Sequence, residues 1–176
     1  MTAKAGRYDP PAGVPAYVQK LGAKLMEIEY IGSPFVWLVT GSHRAEADVW
    51  GQVISDCYRH IMIWLELRGY DRVPKIVRHG GASGIDTLAH LRAKRFGWTP
   101  DRMPADWQHW GRRSGIIRNA AMVDKQPRAD LCTAFFAEIS RGTANCAGQA
   151  RAAGIPTVTI TVEDLYMPHA STTRID

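Results

Sequence analysis

Three short runs in this chain carry residue types that bind anions. Each is an apolar segment that breaks on glycine and small hydroxyl residues before a helical pattern begins: VTGSHR from Val39, RHGGASGID from Arg78 and FFAEISRGTANCAGQA from Phe135. A helix opening on Gly, Ser or Thr presents backbone N–H groups without intrahelical partners, together with the positive end of its dipole. Phosphate is the anion such turns suit best. A fourth run, PADWQHWGRRSGIIRNAAM from Pro104, gathers Arg112, Arg113, Arg118 and Asn119 around another helix start, a density suited to bidentate phosphate recognition. In the same run Trp107 and Trp110 offer ring faces for stacking a base. The alternatives are that the tryptophans lid the core and that Arg112 and Arg113 sit in a solvated loop.

These runs assign expected roles residue by residue. Gly41, Ser42 and Arg44 border a first phosphate. Gly80, Gly81, Ala82, Ser83 and Gly84 supply backbone N–H groups, the two leading glycines letting the backbone approach a ligand and Ser83 capping the following helix. Ser140, Gly142, Thr143 and Asn145 open a second amide-lined site on a helix of small residues. Arg113 and Arg118 contact phosphate, Arg118 as a clamp. Asp86 falls in a first helical turn, where a carboxylate suits the dipole but repels a neighbouring phosphate. It therefore points to a ribose hydroxyl, a base edge or a cation, or else only closes the helix start. Asn119 joins Asp86 in orienting sugar or base. Catalytic residues stay unassigned, with Arg118 and Asp86 as the candidates.

Other chemistries find little support. Asp86 and His90, at i and i+4, share a helix face but lack a clear third ligand, so no metal is expected. No Ser/His/Asp or Cys/His arrangement emerges from spacing, Cys146 reads as core, and the GxxxxGK[ST] phosphate loop is absent.

The chain has 176 residues, enough for one domain with a sizeable core. Its 22 basic and 17 acidic residues give a net charge of +5, spread along the sequence, which suits phosphate ligands or nucleic acid. The three cysteines lack CxxC spacing, so a reducing cytoplasm is expected rather than a disulfide framework. No secretory pattern and no apolar run near the ~18 residues of a membrane span is present, which points to a protein that is not exported and has no membrane partner.

Positioning these residues falls to alternating strands and helices. Residues 1–15 read as a flexible tail, 16–31 as an N-terminal amphipathic helix, 32–167 as one domain and 168–176 as a C-terminal tail. Within the domain, strands are expected at 35–40, 75–78, 98–104 (weak), 130–136 and 157–162. Helices are expected at 45–67, 83–96, 114–124 and 142–153. Strict alternation argues for a doubly wound parallel sheet, which would line up the anion-binding turns along its carboxyl edge. The long helix is apolar beyond one face: Val49, Val53, Met62 and Leu65 widen the stripe of Trp50, Ile54, Cys57, Ile61 and Trp64. Either it forms a contact in a homodimer or higher homo-oligomer, or the N-terminal helix covers it.

Taken in order, VTGS, HGGASGID, GIIRNAAM and SRGTAN resemble the SLOG superfamily, and in particular its small YspA-type (YpsA-related) branch from bacteria and phages. The resemblance spans 35–162 and implies a Rossmann-like, three-layer α/β/α domain. It further implies a nucleotide or nucleotide-derived small molecule as ligand, with no certain cofactor beyond it. Two relatives suggest activities. LONELY GUY-like members cleave nucleoside monophosphates with an R-x-x-x-M helix, matched here by Arg118 and Met122, and a G-G-x-G-T-x-x-E turn. Gly142 and Thr143 match that turn, while Ser140-Arg141 replace its leading glycines and Cys146 its glutamate. A thiol in a helix cannot take over the work of that carboxylate. Members similar to Smf/DNA-processing protein A bind single-stranded DNA through G-x-A-x-G-I-D and R-N-R-I runs, to which HGGASGID and IIRNAAM are similar, with Ala120 at the second arginine. Enzymatic turnover as a phosphoribohydrolase and binding of single-stranded DNA are thus the alternatives to ligand binding alone.

Overall fold

The structure is a computed structural model and describes residues 13–166. Five strands, β1 (Phe35–Gly41), β2 (Lys75–His79), β3 (Thr99–Arg102), β4 (Leu131–Phe136) and β5 (Thr157–Thr161), form one sheet in the order β3-β2-β1-β4-β5. Every pairing is parallel. Among the described residues, six α-helices accompany them: α1 (Ala16–Met26), α2 (Ala47–Leu67), α3 (Ile85–Arg95), α4 (Trp107–Trp110), α5 (Ser114–Asp124) and α6 (Arg141–Ala152). The chain starts in the sheet centre, winds outward through α2 and α3, then returns through α5 to the other side of β1. That reversal between β1 and β4 makes a topological switch point, where open α/β sheets bind ligands. The fold is the expected Rossmann-like three-layer α/β/α arrangement. The tails expected at 1–15 and 168–176 lie, apart from residues 13–15, outside the described residues.

Strand sequence explains the layering. FVWLV in β1 is apolar without a break, as befits a central strand covered on both faces. Successive side chains alternate between two cores. Phe35, Trp37 and Val39 enter the larger one, shared with α1, α2 and α3, and Val36 and Leu38 enter the smaller one, which includes Met122 and Val123 of α5 and Cys146 and Ala150 of α6. The larger core is aromatic: Trp37 meets Tyr58 edge-on at 4.8 Å and donates from its indole N–H to Thr133 Oγ1 at 2.9 Å.

The N-terminal helix covers part of the broad apolar face of α2. Tyr17, Val18, Leu21 and Leu25 are buried in the same core, and the Tyr17 hydroxyl donates to Asp56 in α2 at 2.8 Å. Val53 and Leu65 are buried, whereas Val49, Met62, Ile63 and Leu67 remain exposed.

On the opposite face of β2, Arg78 is fully buried. Its guanidinium pairs with Asp101 of β3 at 2.8 Å and donates to the carbonyls of Met122, Lys125 and Pro127, at and beyond the end of α5. Asp101 in turn receives Lys125 at 2.6 Å. A cation at a helix C-terminus opposes the negative dipole end, and the carboxylate supplies the partner a buried charge requires. Among the described residues no helix is long and apolar enough to cross a membrane.

Candidate functional site

The carboxyl end of β1 is built as a floor. Ser42 is fully buried; its N–H donates to Phe135 O at 3.1 Å, its hydroxyl to Glu138 O at 3.0 Å, and its carbonyl accepts from Ile85 N–H at 3.2 Å. These bonds tie β1, the segment after β4 and the start of α3 together. Gly41 is half-buried and packs directly on Ile85, since a Cβ there would fall 2.4 Å from Ile85 Cβ. Arg44 lies elsewhere, lining a cavity of about 340 Å³ with Glu46, Val49, Trp50 and Tyr166.

The turn after β2 differs from expectation in one detail. Ser83 does not cap α3; Gly84 occupies the cap position at φ +71°, and no side chain accepts there. A backbone at that φ excludes most L-residues, and a Cβ on Gly84 would lie 2.3 Å from His43 O. The turn is closed instead by Ala82 N–H donating to Asp86 Oδ2 at 3.2 Å and by the Thr87 hydroxyl donating to Ala82 O at 2.9 Å. Gly81 N–H donates to His79 Nδ1 at 3.1 Å. The amides of Gly81, Ala82 and Ile85 are therefore engaged within the protein. Asp86 is 4% exposed, and burial pushes its carboxyl up to about 6, against the lowering pull of the Ala82 and Gly80 amides, Arg118 and His43.

Across from this turn, α5 presents Arg118 and Asn119. Arg118 is half-buried; its Nη1 donates to Gly80 O at 2.5 Å and its Nε to Asn119 Oδ1 at 3.0 Å. A Cβ on Gly80 would sit 1.7 Å from that Nη1, so glycine here makes room for the guanidinium. Asn119 is buried and donates to Gly142 O at 3.1 Å and Asn145 Oδ1 at 3.0 Å, docking α5 on α6. Ser140 caps α6, accepting from Thr143 N–H at 3.3 Å and from the Thr143 hydroxyl at 2.8 Å. Beneath lies Cys146, fully buried beside Thr40, its thiol pushed up to about 11 by burial and feeling the charges of Arg118 and Asp86. Cys146 is thus core, not nucleophile.

Gly80, Asp86, Arg118, Asn119 and the α6 start at Ser140–Asn145 consequently meet at the carboxyl ends of β1, β2 and β4, while Arg44 stands apart. Arg113 lies in a 3-10 turn between α4 and α5 and is exposed, as is Arg112. Trp107 and Trp110, at 62% and 49% exposure, are surface residues rather than core lids. Sequence reasoning missed a second grouping: His79 Nε2 lies 3.0 Å from His90 Nδ1, and both line a cavity with Arg102. His90 thus takes its partner from β2. The only available signal was the histidine opening HGGASG. Among the described residues, no group of three His, Cys, Asp or Glu is placed to hold a metal. Chemically, the site combines a guanidinium with N–H groups to spare, a Ser140-capped helix start and a carboxyl that burial raises to about 6.

No family profile and no solved structure matches the chain. The Gene 61 protein of Mycobacterium phage D29 is 40% identical over 88 residues, covering 47% of this chain and 69% of the phage protein. On that identity across more than two thirds of the relative, the chain belongs to the family of the Mycobacterium phage D29 Gene 61 protein.

Proposed function

We propose that the crevice between β1 and β4 binds a nucleotide or nucleotide-derived ligand, as the resemblance to SLOG proteins implies. The supporting observation is the meeting of Arg118, Asp86, Asn119 and the Ser140-capped start of α6 at the sheet's switch point. Arg118 contacts a phosphate with the N–H groups it does not spend on Gly80 and Asn119. Asp86, raised by burial to about 6 and ionised at neutral pH, accepts from a sugar hydroxyl or a base N–H. Calorimetric titration with a panel of nucleoside mono- and diphosphates tests this. At least one should bind, and Arg118→Ala should weaken it tenfold or more, about the 1.4 kcal/mol of a lost charge-assisted hydrogen bond. Unchanged affinity in that variant would remove the proposal.

A second reading, single-stranded nucleic acid, draws on the exposure of Trp107 and Trp110 beside Arg112 and Arg113. Aromatic faces next to cations stack bases and neutralise the backbone. Fluorescence titration with an oligothymidylate decides it, Trp107→Ala being expected to weaken binding roughly tenfold, in line with ~1–3 kcal/mol per stacked base.

A further inference from the structure

At the end of β2, His79 is 1% exposed and stands against His90 of α3, with the rings 5.1 Å apart and nearly perpendicular. Arg102, the last residue of β3, lies over Gly81 so closely that a Cβ there would be 2.4 Å from its Nε. These three side chains, with Gly81, Thr87 and Leu91, line a cavity of about 250 Å³. None of the lining residues is acidic. Among the described residues, no carboxylate pairs with Arg102, and its neighbour Asp101 is committed to Arg78 and Lys125. Gly80 therefore receives Arg118 and Gly81 receives Arg102, so adjacent glycines, with Cα atoms about 3.8 Å apart, carry one guanidinium each.

We propose that the His79–His90–Arg102 cavity is a second phosphate subsite, and that the ligand is a nucleoside diphosphate or a derivative of one, spanning from Arg118 to Arg102 across the Gly80–Gly81 turn. The identification of the carrier rests on the nucleotide reading above; the phosphate site itself does not. The Arg102 guanidinium, with no carboxylate in the lining, favours an anion over a metal cation. The volume is below the ~300–1,000 Å³ typical of pockets that enclose a whole ligand, so the cavity holds one group of a ligand seated mainly elsewhere. A histidine pair adapts to that role, because a proton taken up at His79 Nδ1 displaces the Gly81 N–H it accepts from and turns that amide, beside an imidazolium, towards the anion. Burial and the neighbouring His90, Arg102 and Arg118 hold His79 down at about 4 against the opposing pull of Asp101, while burial, Lys94 and Arg102 lower His90. A phosphate reverses that balance and draws a proton onto the pair, so its binding tightens as pH falls from 8 towards 6.

The full chain is titrated with ADP, AMP and inorganic phosphate at pH 6 and 8, with the histidine ring signals followed by NMR. ADP is expected to bind at least tenfold more tightly than AMP. Arg102→Ala should collapse that ratio towards one, and His90→Gln should flatten its pH dependence. A parent ratio near one, or a ratio unaltered by Arg102→Ala, overturns the subsite while leaving the nucleotide reading intact. If neither these nor any other nucleoside mono- or diphosphate of the panel binds, that reading fails, and inorganic phosphate decides the subsite. Ring shifts at His79 and His90 that vanish in Arg102→Ala sustain it; their absence in the parent protein overturns it.

Discussion

Asp86 and His79 are buried on neighbouring turns, and their ionisations act on stability in opposite directions. Burial raises the Asp86 carboxyl from its ordinary 3.8 to about 6. Between those values the folded protein keeps a proton that the unfolded chain releases, so this contribution is complete below about 4 and lost as pH rises through 6. Two pH units of difference are worth about 3 kcal/mol. His79 is depressed from 6.5 to about 4, so its contribution is complete above about 6.5 and lost as pH falls towards 4, by about 3 kcal/mol. The parent protein should therefore show little net change from these two groups between pH 4 and 6.5. Urea denaturation across that range should find stability rising with pH in Asp86→Asn and falling with pH in His79→Gln; parallel profiles in the two variants would refute the assignment. Arg118, Asp86 and Asn119 were legible because their types advertise phosphate and sugar chemistry wherever they sit. The pairing of His79 with His90 was not, since the partners lie on different elements, eleven residues apart, and match no periodicity. Nor could sequence reveal that the Ser42 hydroxyl is spent on Glu138 O.

At the level of elements, the opening of α3 depends on backbone geometry more than on capping. Gly84→Ala combines the cost of positive φ, about 1–2 kcal/mol, with overlap against His43 O at 2.3 Å. A loss of about 2–4 kcal/mol is expected by chemical denaturation. Ser83→Ala should sit within about 0.5 kcal/mol of the parent, as Ser83 caps nothing. The strands and long helices were readable from uninterrupted apolar runs such as FVWLV and from 3.6-residue periodicity. The edge strand β3 was weak in the sequence because Thr99–Arg102 contains no large apolar side chain; pairing with β2 creates it. Helix α4 escaped detection for a related reason. Four residues are too few for a periodic signal, and the turn is held by Asp106 accepting from His109 N–H at 3.0 Å.

For the molecule as a whole, the net charge of +5 makes any nucleic-acid association sensitive to ions. If oligothymidylate binds at Trp107 and Trp110, its log affinity should fall with log salt by about 0.7 for each phosphate neutralised, as a fluorescence titration at several salt concentrations measures. A nucleotide in the crevice would show a much shallower slope. The layered architecture was legible from alternation alone, whereas the way α1 closes over α2 was not, because the apolar surplus of α2 fitted a second copy equally well. Arg78 has a consequence for how this protein can diverge. Its counter-ion sits on the edge strand and its remaining donors stop α5, so replacing Asp101 alone strands the Arg78 guanidinium in the interior, whereas replacing Arg78 alone leaves Asp101 with Lys125. Descent is therefore one-way at this pair: a lineage can shed the arginine first and the carboxylate afterwards, but not in the reverse order without a poorly folding ancestor.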